Sequence, residues 1–253
     1  MRRIIALLKI SFFLGTIFFL LQACNMESGL DCFKKQGEII TESVKVDSFS
    51  KVNISPGIEL IVKQTETQSV KIEVGKNFRN DITWEVIDQE LILEDESNCQ
   101  MLRNYHPTKV YVNTPDLNSI YSSSQYNISS DGILRFPELR MESGLSEETS
   151  SGIWEMHIEN QRIIIEDNVS AVYRIQGETE DLGIWFWGQN GRFEGAALKA
   201  DEVSFYQRSA NDMIVFPIHK ITGALWSTGN VVLKNVPPEI DVEQHLSGHL
   251  VYP

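Results

Sequence analysis

The sequence predicts an all-β protein: an antiparallel N-terminal β portion followed by a right-handed parallel β-helix. Three observations carry that reading. Apolar and polar residues alternate with period two through residues 38–113, short apolar stretches recur about every 20 residues beyond Pro115, and no run holds a 3.6-residue period for three turns.

The first element is a leader, not a strand. Arg2, Arg3 and Lys9 precede an apolar run from Ile10 to Leu21, and Leu21-Gln22-Ala23-Cys24 ends it. This is the basic, apolar, small-residue layout of an export signal. A small residue directly before a cysteine resembles a bacterial lipobox, so residues 1–23 are expected to be a lipoprotein signal peptide, with Cys24 as the lipid attachment site. One acyl chain binds membranes only marginally, at about 0.8 kcal/mol per buried methylene, and stable anchoring takes two or more chains. The alternative is an uncleaved transmembrane anchor, because the run is near the short end of what crosses a hydrocarbon core of about 30 Å.

Residues 24–36 are short and polar, suited to a tether. The N-terminal β portion, 37–116, follows. Val44-Val46, Val52-Ile54, Ile58-Leu60-Val62, Val70-Ile72-Val74, Ile82-Trp84-Val86 and Leu91-Leu93 alternate as half-buried strands do, and Val110-Val112 closes the set. Turns fall at Pro56-Gly57, Gly75-Lys76-Asn77 and Asp88-Gln89. In the last segment, 117–253, the openings Leu117, Leu139, Ile163, Leu182, Val203, Ile221 and Ile240 are 18 to 24 residues apart. Small polar turns follow many of them: Ser122-Ser123-Ser124, Ser143-Gly144, Gly188-Gln189-Asn190-Gly191, Ser227-Thr228-Gly229 and Ser247-Gly248. One tight corner per repeat of this length suits the coil of a β-helix, in which each rung buries its inward side chains on the next.

The whole chain carries 35 acidic and 22 basic residues, a net charge of −13, and the leader holds three of the bases and none of the acids. Such a balance argues against nucleic acid, whose affinity rests on Lys and Arg neutralising phosphates, and against an anionic lipid surface held through a basic face. The membrane partner is therefore the N-terminal lipid alone. With Cys24 acylated, Cys32 and Cys99 are the two thiols left in an oxidising compartment, and a Cys32–Cys99 disulfide is expected. Closing that loop is worth about 4 kcal/mol in the chain-entropy model. The alternative is two separate buried thiols.

Catalytic chemistry is sparse. Glu147-Glu148 and Glu178-Glu180-Asp181 are the carboxylate candidates, but a glycosidase needs two carboxyls about 5 to 9 Å apart across a cleft, and proximity in a turn does not create that. His245 and His249 would be a zinc pair on a helix; Ser247-Gly248 makes this a corner, with no third ligand evident. No serine sits in a Gly-x-Ser-x-Gly elbow. The expectation is no metal, no cofactor and no enzyme. Aligning the repeats at their opening residues puts Trp187, Arg208, Trp226 and His245 at one offset and Trp185 and Tyr206 at a neighbouring one. If stacked rungs expose them, they form a candidate ligand face for a glycan or protein; otherwise the ladder packs under a loop.

Several stretches resemble the head-GIN-domain proteins, a family described as auto-transporter adhesins and including many Bacteroidetes surface lipoproteins. They are Asp31-Cys32-Phe33-Lys34-Lys35 with Gly37-Glu38-Ile39, Phe49-Ser50-Lys51-Val52, and Ile58 through Gln64. Further matches are Trp84-Glu85-Val86 with Glu90-Leu91-Ile92-Leu93, Lys109 through Leu117, Ile221-Thr222-Gly223-Ala224 and Ser227 through Val231. The resemblance runs from about residue 31 to the end. It implies a non-catalytic adhesin or ligand-binding scaffold, lipid-anchored in the cell envelope, at the outer membrane on its periplasmic or exterior side. The alternatives are a polysaccharide-active enzyme on a β-helix and a purely structural envelope protein. Where the family repeats Ser-Gly corners, this chain has Glu166-Asp167-Asn168 and Gln207-Arg208-Ser209.

Overall fold

Strand-forming alternation decides the architecture. In a computed structural model the chain is described at residues 35–97, 106–145, 150–188 and 190–253, and it is nearly all β, with 63% in strands and 3% in helix. Cys24, Cys32, Cys99, the leader and Glu147-Glu148 lie outside those residues.

The N-terminal strands are β1 (Ile39–Val44), β2 (Lys51–Ile54), β3 (Ile58–Gln64) and β4 (Ser69–Gly75); a 3-10 turn at Lys76–Asp81 leads to β5 (Ile82–Ile87), β6 (Glu90–Asp95) and β7 (Thr108–Thr114). Next come β8 (Ser119–Ser122), β9 (Ile128–Leu134) and β10 (Glu138–Ser143). The long strands β11 (Ile153–Asp167), β12 (Val172–Phe186), β13 (Arg192–Gln207) and β14 (Met213–Leu225) follow, then β15 (Val231–Leu233), β16 (Glu239–Gln244) and β17 (Leu250–Val251). From β8 onward all pairing is parallel, in a β-solenoid of about six turns.

The antiparallel pairs of the N-terminal portion are β1–β4, β4–β7 and β5–β6. The β5–β6 hairpin turns at Asp88 and Gln89, both at positive φ, as a two-residue turn matched to strand twist requires. Parallel pairing reaches further back than Pro115, however. β2 lies between β6 and β8, and β3 between β7 and β9, so both are solenoid rungs. Period two reports which side of a strand is buried, not the direction of its neighbour.

A second difference concerns the repeat openings. Ile163, Leu182, Val203 and Ile221 do not begin separate strands; each lies in the second half of a long strand that bends from one stack to the other. The pairing skips Gln161, Glu180 and Asp201 at this bend, and none of these exposed residues is a glycine or proline that would end the strand.

Stacking makes the core. Leu139, Ile163, Leu182, Val203 and Ile221 pair in one continuous column, each at most 1% exposed. Trp154 stacks on Tyr173 at 5.5 Å between centroids, and Tyr173 on Phe186 at 6.1 Å, so the widest side chains fill one stretch of the interior. Outside, acids and bases alternate along the axis: Glu138, Arg162 and Asp181 form one paired column and Glu155, Arg174 and Glu194 another. Exposed pairs of this kind add only tenths of a kcal/mol each. Acids also stack on acids, Asp181 on Glu202 and Glu159 on Glu178, and there a base follows on the adjoining rung, Lys220 beyond Glu202 and Lys199 beyond Glu178.

Candidate functional site

The corner that follows the first strand of each rung holds the candidate residues. Arg208 N–H donates to Phe186 O at 3.1 Å, Trp226 N–H to Gln207 O at 2.8 Å, and His245 N–H to Leu225 O at 3.0 Å. These bonds set Trp187, Arg208, Trp226 and His245 at equivalent places on successive rungs. Trp185 pairs with Tyr206 two residues back along the strands. Each column residue lies just beyond the end of β12, β13, β14 or β16, where the chain turns and the side chain is carried outward. The turn is tight: a Cβ at Gly248 would lie 2.3 Å from Gly229 O, so glycine there lets one corner rest on the corner below.

The column divides into two aromatic pairs around a cation. Trp187 is 42% exposed, its ring 5.0 Å from that of Tyr206. Trp226 is 43% exposed and lies flat on His245, with 3.5 Å between centroids and 12° between planes. Arg208 is exposed between them and has no ion pair among the described residues. Trp185 and Tyr206 are half-buried, Trp185 lying back over Gly183. His245 Nε2 is 3.0 Å from Glu243 Oε2. Two flat rings beside a guanidinium can stack on a planar or sugar-like face and hydrogen-bond its edge.

Beneath this surface the same corner is lined by buried polar groups that sequence reasoning missed. Ser124 Oγ donates to Ile58 O, Ser143 Oγ to Ser150 Oγ, and Ser209 Oγ to Gly191 O. At the two corners that depart from the Ser-Gly pattern, a longer side chain takes this role. Asp167 is fully buried and accepts from Val169 N–H at 2.7 Å, Ala171 N–H at 3.2 Å and the Tyr173 hydroxyl at 3.2 Å. Gln207 accepts from Ser209 N–H and donates to Asn211 O. Both satisfy corner amides that would otherwise be stranded away from water. Burial pushes the Asp167 carboxyl up to about 6 against the opposing effect of its three donors, and burial with the adjacent carboxylate raises the Tyr173 hydroxyl well above its ordinary range. An Asp or Gln at a position that Ser122 and Ser143 hold on earlier rungs, and Phe186 and Leu225 on later ones, was the available signal.

The remaining candidates are dispersed. Glu178 pairs with Lys199 at 3.4 Å and Asp181 with Arg162 at 3.1 Å, both as outward members of the charge columns. His249 Nδ1 is 3.2 Å from Ser247 O, whereas His245 is stacked on Trp226. Among the described residues no three His, Cys, Asp or Glu side chains are grouped to hold a metal, and no helix is long and apolar enough to cross a membrane.

Comparison with solved structures finds the same architecture elsewhere. A putative adhesin from Bacteroides fragilis superposes with a TM-score of 0.77 at 19% identity, covering 85% of this chain and 97% of that one. A putative adhesin from Parabacteroides merdae gives a TM-score of 0.57 at 13% identity, covering 86% and 97%. A putative lipid binding protein from Parabacteroides distasonis gives 0.57 at 12%, covering 85% and 97%. At these identities the likeness is one of fold. A search of curated proteins found no match. The sequence model described as "Putative auto-transporter adhesin, head GIN domain" matches residues 48–237, which is most of the chain, and the protein accordingly belongs to the head-GIN-domain family.

Proposed function

We propose that this protein is a non-catalytic, adhesin-like binding protein of the cell envelope, held to the outer membrane by acyl chains on Cys24, and that it contacts its ligand through the column Trp187, Arg208, Trp226 and His245. The observation that carries the reading is the pair of exposed tryptophans flanking an exposed arginine in register. Exposed apolar side chains grouped in one place mark interaction sites where single ones do not, and binding energy at interfaces concentrates in Trp, Tyr and Arg. Rungs stack about 4.8 Å apart, so the four positions span roughly 15 Å, the length of a few sugar units or a short extended peptide. The adhesin description of the family and the acidic surface support a glycan or protein ligand over nucleic acid. A glycan array probed with the full chain tests it. Trp187→Ala and Trp226→Ala should each weaken the captured glycan about thirtyfold, the equivalent of about 2 kcal/mol, with circular dichroism unchanged. Both variants binding like the parent would place the ligand face elsewhere.

A further inference from the structure

The two ends of the solenoid are finished differently. At one end β6 is covered by β5, and β7 by β4 and then β1. At the other, β16 pairs with β14 and with no second strand among the described residues. The core column shows what this leaves open: from Leu139 to Ile221 its members are at most 1% exposed, but Ile240, next in the same register, is 38% exposed. His245 N–H points to Leu225 O, and backbone groups alternate in direction along a strand. The amides and carbonyls of Ile240, Val242 and Gln244 therefore point off the open edge.

The outer residues of the same strand are all acids. Glu239 has Lys220 behind it at 3.7 Å and Glu243 has only the His245 imidazole beside it at 3.0 Å, whereas Asp241 pairs with Thr222, which carries no charge. Elsewhere on this surface a base lies within one or two rungs of the acids, as in Glu138, Arg162, Asp181, Glu202, Lys220 and in Glu155, Arg174, Glu194. A strand with Lys or Arg over Glu239, Asp241 and Glu243 and apolar residues over Ile240 and Val242 would complement both the charge and the apolar side that this edge presents.

We propose that the β16 edge accepts, by parallel strand addition, an extended segment of another protein in which basic and apolar residues alternate. Main-chain hydrogen bonds supply affinity in such additions, and alternate side chains supply selectivity. A second copy of this chain complements the edge poorly: β16 against β16 in register sets three acids against three, whereas the acid pairs inside the solenoid, Asp181 on Glu202 and Glu159 on Glu178, each have Lys220 or Lys199 on the adjoining rung, and the outer strands β1 and β5 contain no Lys or Arg. Acids along an edge repel like strands. They leave it open to a basic one.

The test uses the full chain in detergent micelles and three capped peptides: Lys-Val-Lys-Ile-Lys-Val, the block isomer Lys-Lys-Lys-Val-Ile-Val, and Glu-Val-Glu-Ile-Glu-Val. Fluorescence anisotropy should show the alternating basic peptide binding at least about tenfold more tightly than the other two. The triple variant Glu239→Lys, Asp241→Lys, Glu243→Lys should reverse the preference between the two alternating peptides. Val242→Pro, which removes an outward N–H at a position where an edge strand tolerates proline, should abolish both. Equal binding of the alternating and block peptides, binding of none, or undiminished binding by a folded Val242→Pro variant overturns the proposal. So does sedimentation showing that the chain self-associates through β16. If Val242→Pro fails to fold, the charge-reversal variant decides alone.

Discussion

Asp167 gives the most quantitative prediction. It is fully buried with no cationic partner among the described residues, and burial raises its carboxyl from the ordinary 3.8 to about 6. Because the folded value lies above the unfolded one, the native state retains a proton that the unfolded chain releases between those two pH values. Stability from this group is fully present below pH 3.8 and is lost as pH rises through about 6. A tenfold difference in proton affinity between the folded and unfolded chain is worth about 1.36 kcal/mol, so the loss is roughly 3 kcal/mol. Asp167→Asn keeps the shape but cannot ionise; its amide N–H₂ meets one of the backbone donors, a cost on the order of 1–3 kcal/mol that does not vary with pH. Urea unfolding of parent and variant from about pH 4 to about pH 7.5 isolates the effect. The stability difference, parent minus variant, should fall by roughly 3 kcal/mol across that range, with most of the change between about pH 4 and about pH 6. A difference that stays flat would show that the carboxylate is solvated in the native state and would refute the buried-corner account.

Three further outcomes follow from other parts of the chain. Cys24→Ser should abolish acyl labelling and leave an unprocessed precursor on a gel; unchanged labelling would remove the lipoprotein reading. Peptide mapping without reduction, on protein taken from the envelope, should recover Cys32 linked to Cys99, and finding both alkylatable in native protein would count against the pairing. Gly177→Ala should lower stability by at least about 2 kcal/mol in thermal or urea unfolding, because Gly177 sits at φ +116° and a Cβ would lie 2.0 Å from Ile158 O; a neutral effect would mean that the rung can slide.

Much of this protein is decided locally and is therefore written in the chain. Alternation at Val52-Ile54 or Leu182-Ile184 dictates a strand with one buried side, and equal spacing of such runs dictates that rungs stack with like above like. The offset of Trp187, Arg208, Trp226 and His245 from their repeat openings followed directly, since a parallel stack carries an equal sequence offset to an equal place on each rung. Other features depended on partners distant in sequence. That β2 and β3 run parallel between β6–β7 and β8–β9 is set by which strands meet, and period two is silent on direction. That Asp167 and Gln207 tie down corners is invisible to composition, because a carboxylate or amide in a turn looks solvated until the rungs above and below exclude the water. The pairing of Trp226 with His245 and of Trp187 with Tyr206, and the bare edge of β16, likewise exist only once the coil is wound: register brings the rings together, and the last rung stays uncovered because no described strand is stacked on it.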